Sequence, residues 1–244
     1  MSAPLRIPGA VNLRDVGGLP ASGGVTRAGV LLRSGSLSGL DAAGRDALAE
    51  LRLAAIIDLR DDDEVIASPS ALDDRLPVPQ RVPLFLGSAA SFFIDDIGLP
   101  ELYRGILALP DRLAAVARGV LGGHPVLVHC TVGKDRTGVA VALLLAAAGV
   151  ERDAVVADYA RTEASLPAER NRRLIAWLRQ AHPDAVHLEE LVSASPAAVM
   201  TRTLAELDRD HGSPAGYLRD AGLDAADLAE LRRVLVTENR LGQG

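Results

Sequence analysis

Five residues separate Cys130 from Arg136. Both lie in the decapeptide His129-Cys130-Thr131-Val132-Gly133-Lys134-Asp135-Arg136-Thr137-Gly138, which holds the only cysteine and the only lysine of the chain. A thiol and a guanidinium at this spacing, in a loop opening a helix, can bind a phosphate group and attack it. Backbone N–H groups of such a loop point inward, and the helix dipole adds partial positive charge. Gly133 lets the loop close without a Cβ clash. Thr131, Val132, Gly133, Lys134, Asp135 and Arg136 would then line the phosphate. Arg136 can take two phosphate oxygens with its planar fork, which lysine cannot. The start of a helix beside a cation favours thiolate over thiol, and the thiolate is the nucleophile. Cys130 would form a phosphocysteine and divide one hard hydrolysis into two easier steps. The Thr137 hydroxyl can reach the sulfur and ease its departure, while His129 orients the loop. A buried core thiol is the ordinary fate of a lone cysteine, but it leaves the residues around Cys130 unexplained. A nucleotide-binding GxxxxGK[ST] loop does not fit: Asp135 follows Lys134, and Val128 stands where the first glycine is needed.

The flanking sequence reads as elements that would hold this loop. Pro125–His129 is a short apolar strand, and Val139–Ala148 is an apolar, Ala/Leu-rich helix ending at Gly149. Leu53–Leu59 is a buried strand by its continuous apolar run, and Arg81–Phe85 is a second. Val25–Leu32, turning through Arg27-Ala28-Gly29, reads as a hairpin. Asp41 with Ala42–Leu51 reads as a capped helix, and Leu102–Leu121 as helix broken near Pro110. After Gly149 the pattern is nearly all helix: 152–161, 167–182, 196–210, 213–221 and 225–236. The expectation is an α/β fold, a central sheet flanked by helices with a helix-rich C-terminal half, forming one domain over residues 1–244.

HCTVGKDRTG resembles the signature loop of the cysteine-dependent protein tyrosine phosphatases, His-Cys-x5-Arg-Ser/Thr. Its Gly-Lys-Asp-Arg-Thr-Gly form is similar to an atypical bacterial branch that acts on proteins and lipids. Further motifs resemble that branch in order along the chain: Asn12 to Gly18, Leu32 to Gly35 with Leu37, Ile57 to Arg60 with Glu64, Ala157-Asp158-Tyr159 and Gly216-Tyr217-Leu218. The resemblance implies a cysteine-phosphatase fold. It implies hydrolysis of phosphotyrosine, with phosphoserine and phosphothreonine as further substrates, and no metal or cofactor; the local charge of Lys134 would favour polyanionic substrates such as phosphoinositides beside them. The chain departs from the pattern at the general acid. Its one tryptophan, Trp177, is not followed by Pro-Asp, and Leu86-Gly87-Ser88 stands where the branch carries an aspartate. Asp135 therefore becomes the leading acid and base. The rivals are Asp95 and Asp96, on a segment within 88–121 that could act as a lid, against a loop merely anchored by Phe92 and Phe93.

Other clusters have plainer readings. Asp61-Asp62-Asp63-Glu64 reads as a helix cap, with Glu64 pairing Arg60. Asp58 and Arg60 would support the loop from a neighbouring strand end. His182 and His187 lack metal-site spacing. Arg161, Arg170, Arg172 and Arg173 form a substrate-facing rim or a solvated helix face. The net charge of −6 without a basic run speaks against nucleic acid. One cysteine allows no internal disulfide. No secretory signal or membrane-spanning stretch is recognisable, so the expectation is a protein without stable membrane insertion, cytoplasmic or exported by another route. A catalytically weak phosphate-binding module of the same fold and a sulfurtransferase are the rival readings. The first does not need both Cys130 and Arg136, and the second does not need this arginine spacing.

Overall fold

The computed structural model describes residues 5–84 and 96–238. In chain order the first half runs β1 (Arg14–Asp15), β2 (Pro20–Ala21), β3 (Gly24–Thr26), β4 (Leu31–Ser34), α1 (Ala42–Glu50), β5 (Ala55–Asp58), α2 (Asp62–Ala67), β6 (Gln80–Arg81), α3 (Leu99–Leu107), α4 (Pro110–Gly122) and β7 (Val126–His129). There follow α5 (Asp135–Ala147), α6 (Arg152–Ser165), α7 (Ala168–Ala181), α8 (Leu188–Ser193), α9 (Ala197–His211), α10 (Pro214–Asp220), α11 (Ala225–Leu235) and β8 (Val236–Glu238). The central sheet has the order β1-β4-β7-β5-β6. β1 runs antiparallel to β4, and the other pairs are parallel.

Strands β4, β5 and β7 are almost wholly buried, as expected of parallel strands covered on both faces. Their successive side chains alternate between two cores. Leu31, Ile57, Val126 and Val128 face the larger core, built with the helices of the C-terminal half. Leu32, Ile56 and Leu127 face a smaller one, with Leu37, Leu40 and Leu48. Helix α5 is apolar nearly all round and is accordingly buried on every side. A third, separate cluster joins α7 to α8 through Leu178, Leu188 and Val192.

Most expected elements form within a few residues of their expected bounds. The break at Pro110 falls between α3 and α4, and Asp41 caps α1 by accepting the Gly44 N–H at 2.7 Å. The hairpin over Val25–Leu32 does not form. β3 pairs with β2 and β8 in a small antiparallel sheet, while β4 crosses into the central sheet. The strand expected over Arg81–Phe85 is regular only at Gln80–Arg81; beyond it, Val82 N–H and Leu84 N–H bond the carbonyls of Asp58 and Leu59. Residues 85–95, which include Phe92, Phe93 and Asp95, lie outside the described residues. The later part of the 88–121 segment forms α3 and α4, whose apolar faces belong to the large core.

Candidate active site

The C-terminal ends of β4, β7 and β5 lie level: Ser34 and Asp58 both register with His129. Cys130 follows immediately, and the loop 130–134 sits at the carboxyl edge of the parallel strands, where open α/β sheets collect their ligands. Gly133 has φ of +73°, and a Cβ there would come within 2.5 Å of the Ser34 carbonyl oxygen. The position is closed to other residues twice over, by conformation and by space. The turn it makes directs the Gly133 N–H at Cys130 Sγ, 3.2 Å away. The Gly133 carbonyl points the other way, accepting from Arg33 Nη2 at 2.9 Å and Asn12 Nδ2 at 3.0 Å. The Gly133 N–H thus faces Cys130 because the Gly133 carbonyl is bound from behind.

That rear support is a buried ion network. Asp158 on α6 receives Arg14 Nε at 2.9 Å and Arg33 Nη1 at 2.8 Å. Arg14 also bonds Thr162, and it bonds Asn12. Burial pushes the Asp158 carboxyl up, but Arg33 and Arg14 outweigh it and hold the group below its usual value. Asn12, Arg14, Arg33 and Asp158 appeared in the sequence only as motif positions without roles, and Thr162 not at all. Their signal was an arginine inside an apolar strand, as at Leu31-Leu32-Arg33, because a charge so placed must find a buried partner.

Arg136, the second residue of α5, is gripped by both oxygens of Glu64 on α2; the Nη2–Oε1 distance is 2.7 Å. Glu64 also accepts from the Thr131 hydroxyl and from the Asp61 N–H, the latter at 3.0 Å. Burial acts to raise the Glu64 carboxyl, yet Arg136, Thr131 and Asp61 together bring it down to about 2. The expected helix cap is present, with Asp61 and Glu64 forming a capping box. The expected Arg60–Glu64 pair is not. Arg60 bonds Asp58, two residues earlier, with Ser68 and Ser70 taking its remaining donors. Glu64 is left for the loop.

Asp135 opens α5. Its Oδ1 accepts from Lys134 Nζ at 2.8 Å and from the Tyr103 hydroxyl at 3.0 Å. Lys134 is 1% exposed, and its ammonium also bonds the carbonyls of Ala194 at 2.9 Å and Glu190 at 3.5 Å, at the end of α8. Its charge is therefore wired into the frame. His129 is fully buried, with Nε2 3.8 Å from Asp58 Oδ2, and burial pushes the imidazole down to about 4. The ring is packed at the end of β7 beside Asp58. The Thr137 hydroxyl is buried without a hydrogen-bond partner among the described residues. Asp96 stands apart from this cluster. Both its oxygens accept backbone N–H groups, of Val186 and His187, and these bonds hold its carboxyl below the usual value.

Beside the loop lies a cleft of about 470 Å³ lined in part by Ser36, Ser38, Arg60, Glu64, Thr131 and Arg170. Of the four arginines singled out, Arg172 and Arg173 pair with Glu169 in solvent. Arg170 instead faces the cleft and has no ion pair among the described residues. No group of three or more His, Cys, Asp or Glu among the described residues could hold a metal.

Residues 5–237 match the profile of the tyrosine phosphatase family. The chain is 33% identical to the triple specificity protein phosphatase PtpB of Mycobacterium tuberculosis, over 94% of this chain and 98% of that protein. It is 33% identical to a tyrosine-protein phosphatase of Nostoc commune, over 84% of this chain and 74% of that protein.

Proposed function

The chain belongs to the tyrosine phosphatase family, and from that premise we propose that it hydrolyses phosphate monoesters through a phosphocysteine on Cys130. The observation that carries the mechanism is the Gly133 N–H aimed at Cys130 Sγ, with Arg136 held by Glu64 in the first turn of α5, directly after the loop. Inward N–H groups and a held guanidinium stabilise charge as it develops on the phosphoryl oxygens. In the first step Cys130 Sγ bonds to phosphorus, the ester P–O bond breaks, and the departing oxygen takes a proton from Asp135. In the second, water attacks phosphorus and returns a proton to Asp135, and the S–P bond breaks, with the Thr137 hydroxyl easing release of the thiolate. Asp135 fits the acid role because it is fixed at the start of α5, directly after the loop, whereas Asp96 stands apart with both oxygens taken by backbone N–H groups at the start of α8.

The same reading takes residues 1–244 as one phosphatase domain, supported by a family match over 5–237. It places the enzyme in the cytoplasm or, exported, outside it; no described helix is long and apolar enough to cross a membrane. Its substrates are phosphorylated proteins, with phosphotyrosine first and phosphoserine or phosphothreonine beside it, and phosphoinositides. The triple specificity in the mycobacterial relative's name supports that breadth, as does the open cleft with Arg170 beside the loop.

The test is hydrolysis of 4-nitrophenyl phosphate in reductant and chelator. Cys130→Ser should abolish turnover and keep phosphate binding, and rapid quench of the wild type should trap a phosphocysteine. A serine variant that still turns over would refute the mechanism. Intact binding with no turnover in the wild type would instead favour a phosphate-binding module. If Asp135 is the acid, Asp135→Asn should slow phenyl phosphate steeply and an ester with a very acidic leaving group much less. An equal loss on both would remove Asp135 from the role.

A further inference from the structure

The two oxygens of Asp135 are not equivalent. Oδ1 takes two donors, Lys134 Nζ at 2.8 Å and the Tyr103 hydroxyl at 3.0 Å, while Oδ2 takes none among the described residues. The Asp135 side chain keeps 19% of its surface open. Tyr103 by contrast is fully buried on α3, packed edge-on against Tyr159 with ring centroids 6.1 Å apart. Its hydroxyl is 2.6 Å from the Tyr159 hydroxyl. Burial, with Asp135 and Tyr159 beside it, holds the Tyr103 phenol well above its usual value, so the group is a standing donor. A phenol has one proton. If Tyr103 gives its proton to Asp135, then Tyr159 gives its own to Tyr103, and the chain runs Tyr159 to Tyr103 to Asp135.

We propose that Tyr103, oriented by Tyr159, is a positioning residue that locks Oδ1 of Asp135 and so assigns the transferable proton to Oδ2. This rests on the reading of Asp135 as general acid. A carboxylic acid rotating freely would offer its proton from either oxygen and in many directions. With Oδ1 held by two donors, a proton on Oδ1 would have to displace one of them, so protonation belongs to Oδ2. When Oδ2–H gives its proton to the departing ester oxygen, the carboxylate left behind is already solvated at Oδ1. Nothing has to reorganise at that moment, which is the condition under which fixed dipoles lower a barrier. In the second step Oδ2, again free, receives the proton of the attacking water. Tyr159 directly follows Asp158, so adjacent residues of α6 support the two halves of the site. Asp158 supports the cradle through Arg33, and Tyr159 supports the acid through Tyr103.

Tyr103→Phe deletes one hydroxyl and leaves the buried ring. The expected result is a kcat on phenyl phosphate lower by about tenfold, the worth of one donor to a charged acceptor. On 4-nitrophenyl phosphate, whose leaving group needs little protonation, kcat should change little. KM should stay near wild type on both, because the cradle is untouched. Tyr159→Phe should move the same contrast in the same direction by less. In the Asp135→Asn background, Tyr103→Phe should add no further leaving-group dependence. Equal losses on both substrates would make Tyr103 a packing residue and end the proposal, as would no loss on either. If Asp135→Asn itself shows no leaving-group dependence, the acid assignment fails first. If Asp135→Asn shows it and Tyr103→Phe does not, only the positioning role fails. Thermal melting with and without inorganic phosphate identifies a variant whose loss comes from misfolding, and in that case the milder Tyr159→Phe decides by the same contrast.

Discussion

Glu64 joins three things that would otherwise be independent: the start of α2, the Thr131 hydroxyl and the Arg136 guanidinium. Arg136 alone on a long side chain would sample many rotamers, and holding it costs conformational entropy. A bidentate carboxylate fixes the plane of the fork before a phosphate arrives. Glu64→Gln keeps the shape and removes the charge. It should lower kcat/KM on phenyl phosphate by roughly tenfold to a hundredfold, the range for weakening one preorganised charge-stabilising group, and weaken inorganic phosphate binding as well. Unchanged kinetics would mean that Glu64 serves only the helix cap. A second residue-scale expectation concerns the cations. The Lys134 ammonium is already engaged by Asp135 and by the end of α8. Arg170 has no ion pair among the described residues and faces the cleft. Arg170→Ala should therefore raise KM for a phosphoinositide carrying a second phosphate by about tenfold, one charge-assisted contact, while leaving 4-nitrophenyl phosphate nearly unchanged. Equal changes on both would take Arg170 out of substrate recognition.

At the scale of elements, the Cys130 loop is held because α6 anchors β1 and β4 through charge. Asp158 lies between two arginines and all three are buried. Removing one member of such a cluster strands the others, at a cost of about 3–5 kcal/mol. Asp158→Asn should lower the urea midpoint accordingly and disorder the Gly133 turn. Glu169→Gln breaks two solvent-exposed pairs on α7 and should leave the midpoint unchanged. Equal effects would mean the buried network is not structural. The candidate loop was legible because the residues that form it are contiguous in the chain: Cys130, Gly133 and Arg136 all belong to one decapeptide. The strands Leu53–Leu59 and Pro125–His129 were legible from their unbroken apolar runs. What supports the loop was not legible, because pairs such as Arg33–Asp158 and Glu64–Arg136 join distant segments. Proximity favoured Arg60 for Glu64, yet Asp58 lies nearer still to Arg60 in the chain and took it. The supposed hairpin at Val25–Leu32 failed for a similar reason. Both strands found better partners elsewhere, β3 at the C-terminal β8 and β4 between β1 and β7.

For the whole molecule, a chain of net charge −6 has placed Arg14, Arg33, Arg60, Lys134 and Arg136 inside, close to one loop. Each is met by a carboxylate: Asp158 for the first two, Asp58, Asp135 and Glu64 for the others. His129 lies among them, and its lowered pKa contributes to the acid side of the stability curve. Burial brings its imidazole to about 4, against the pull of Asp58 and with the push of Arg60 and Arg136. The unfolded chain takes up a proton near 6.5. Between those values the unfolded state binds a proton that the folded state refuses, so stability falls as pH falls. The slope from this one residue approaches about 1.4 kcal/mol per pH unit. Below about 4 both states are protonated there and His129 contributes no further slope. Glu64 acts in a lower window: its stabilisation is intact above the ordinary glutamate value near 4.3 and is lost as pH falls toward about 2. Urea midpoints at pH 7, 6, 5 and 4 should therefore fall steadily in the wild type. In His129→Asn, which cannot titrate, they should fall much less steeply, whatever its stability at pH 7. If the two slopes coincide, His129 is not held neutral in the fold, and the acid sensitivity belongs to another group.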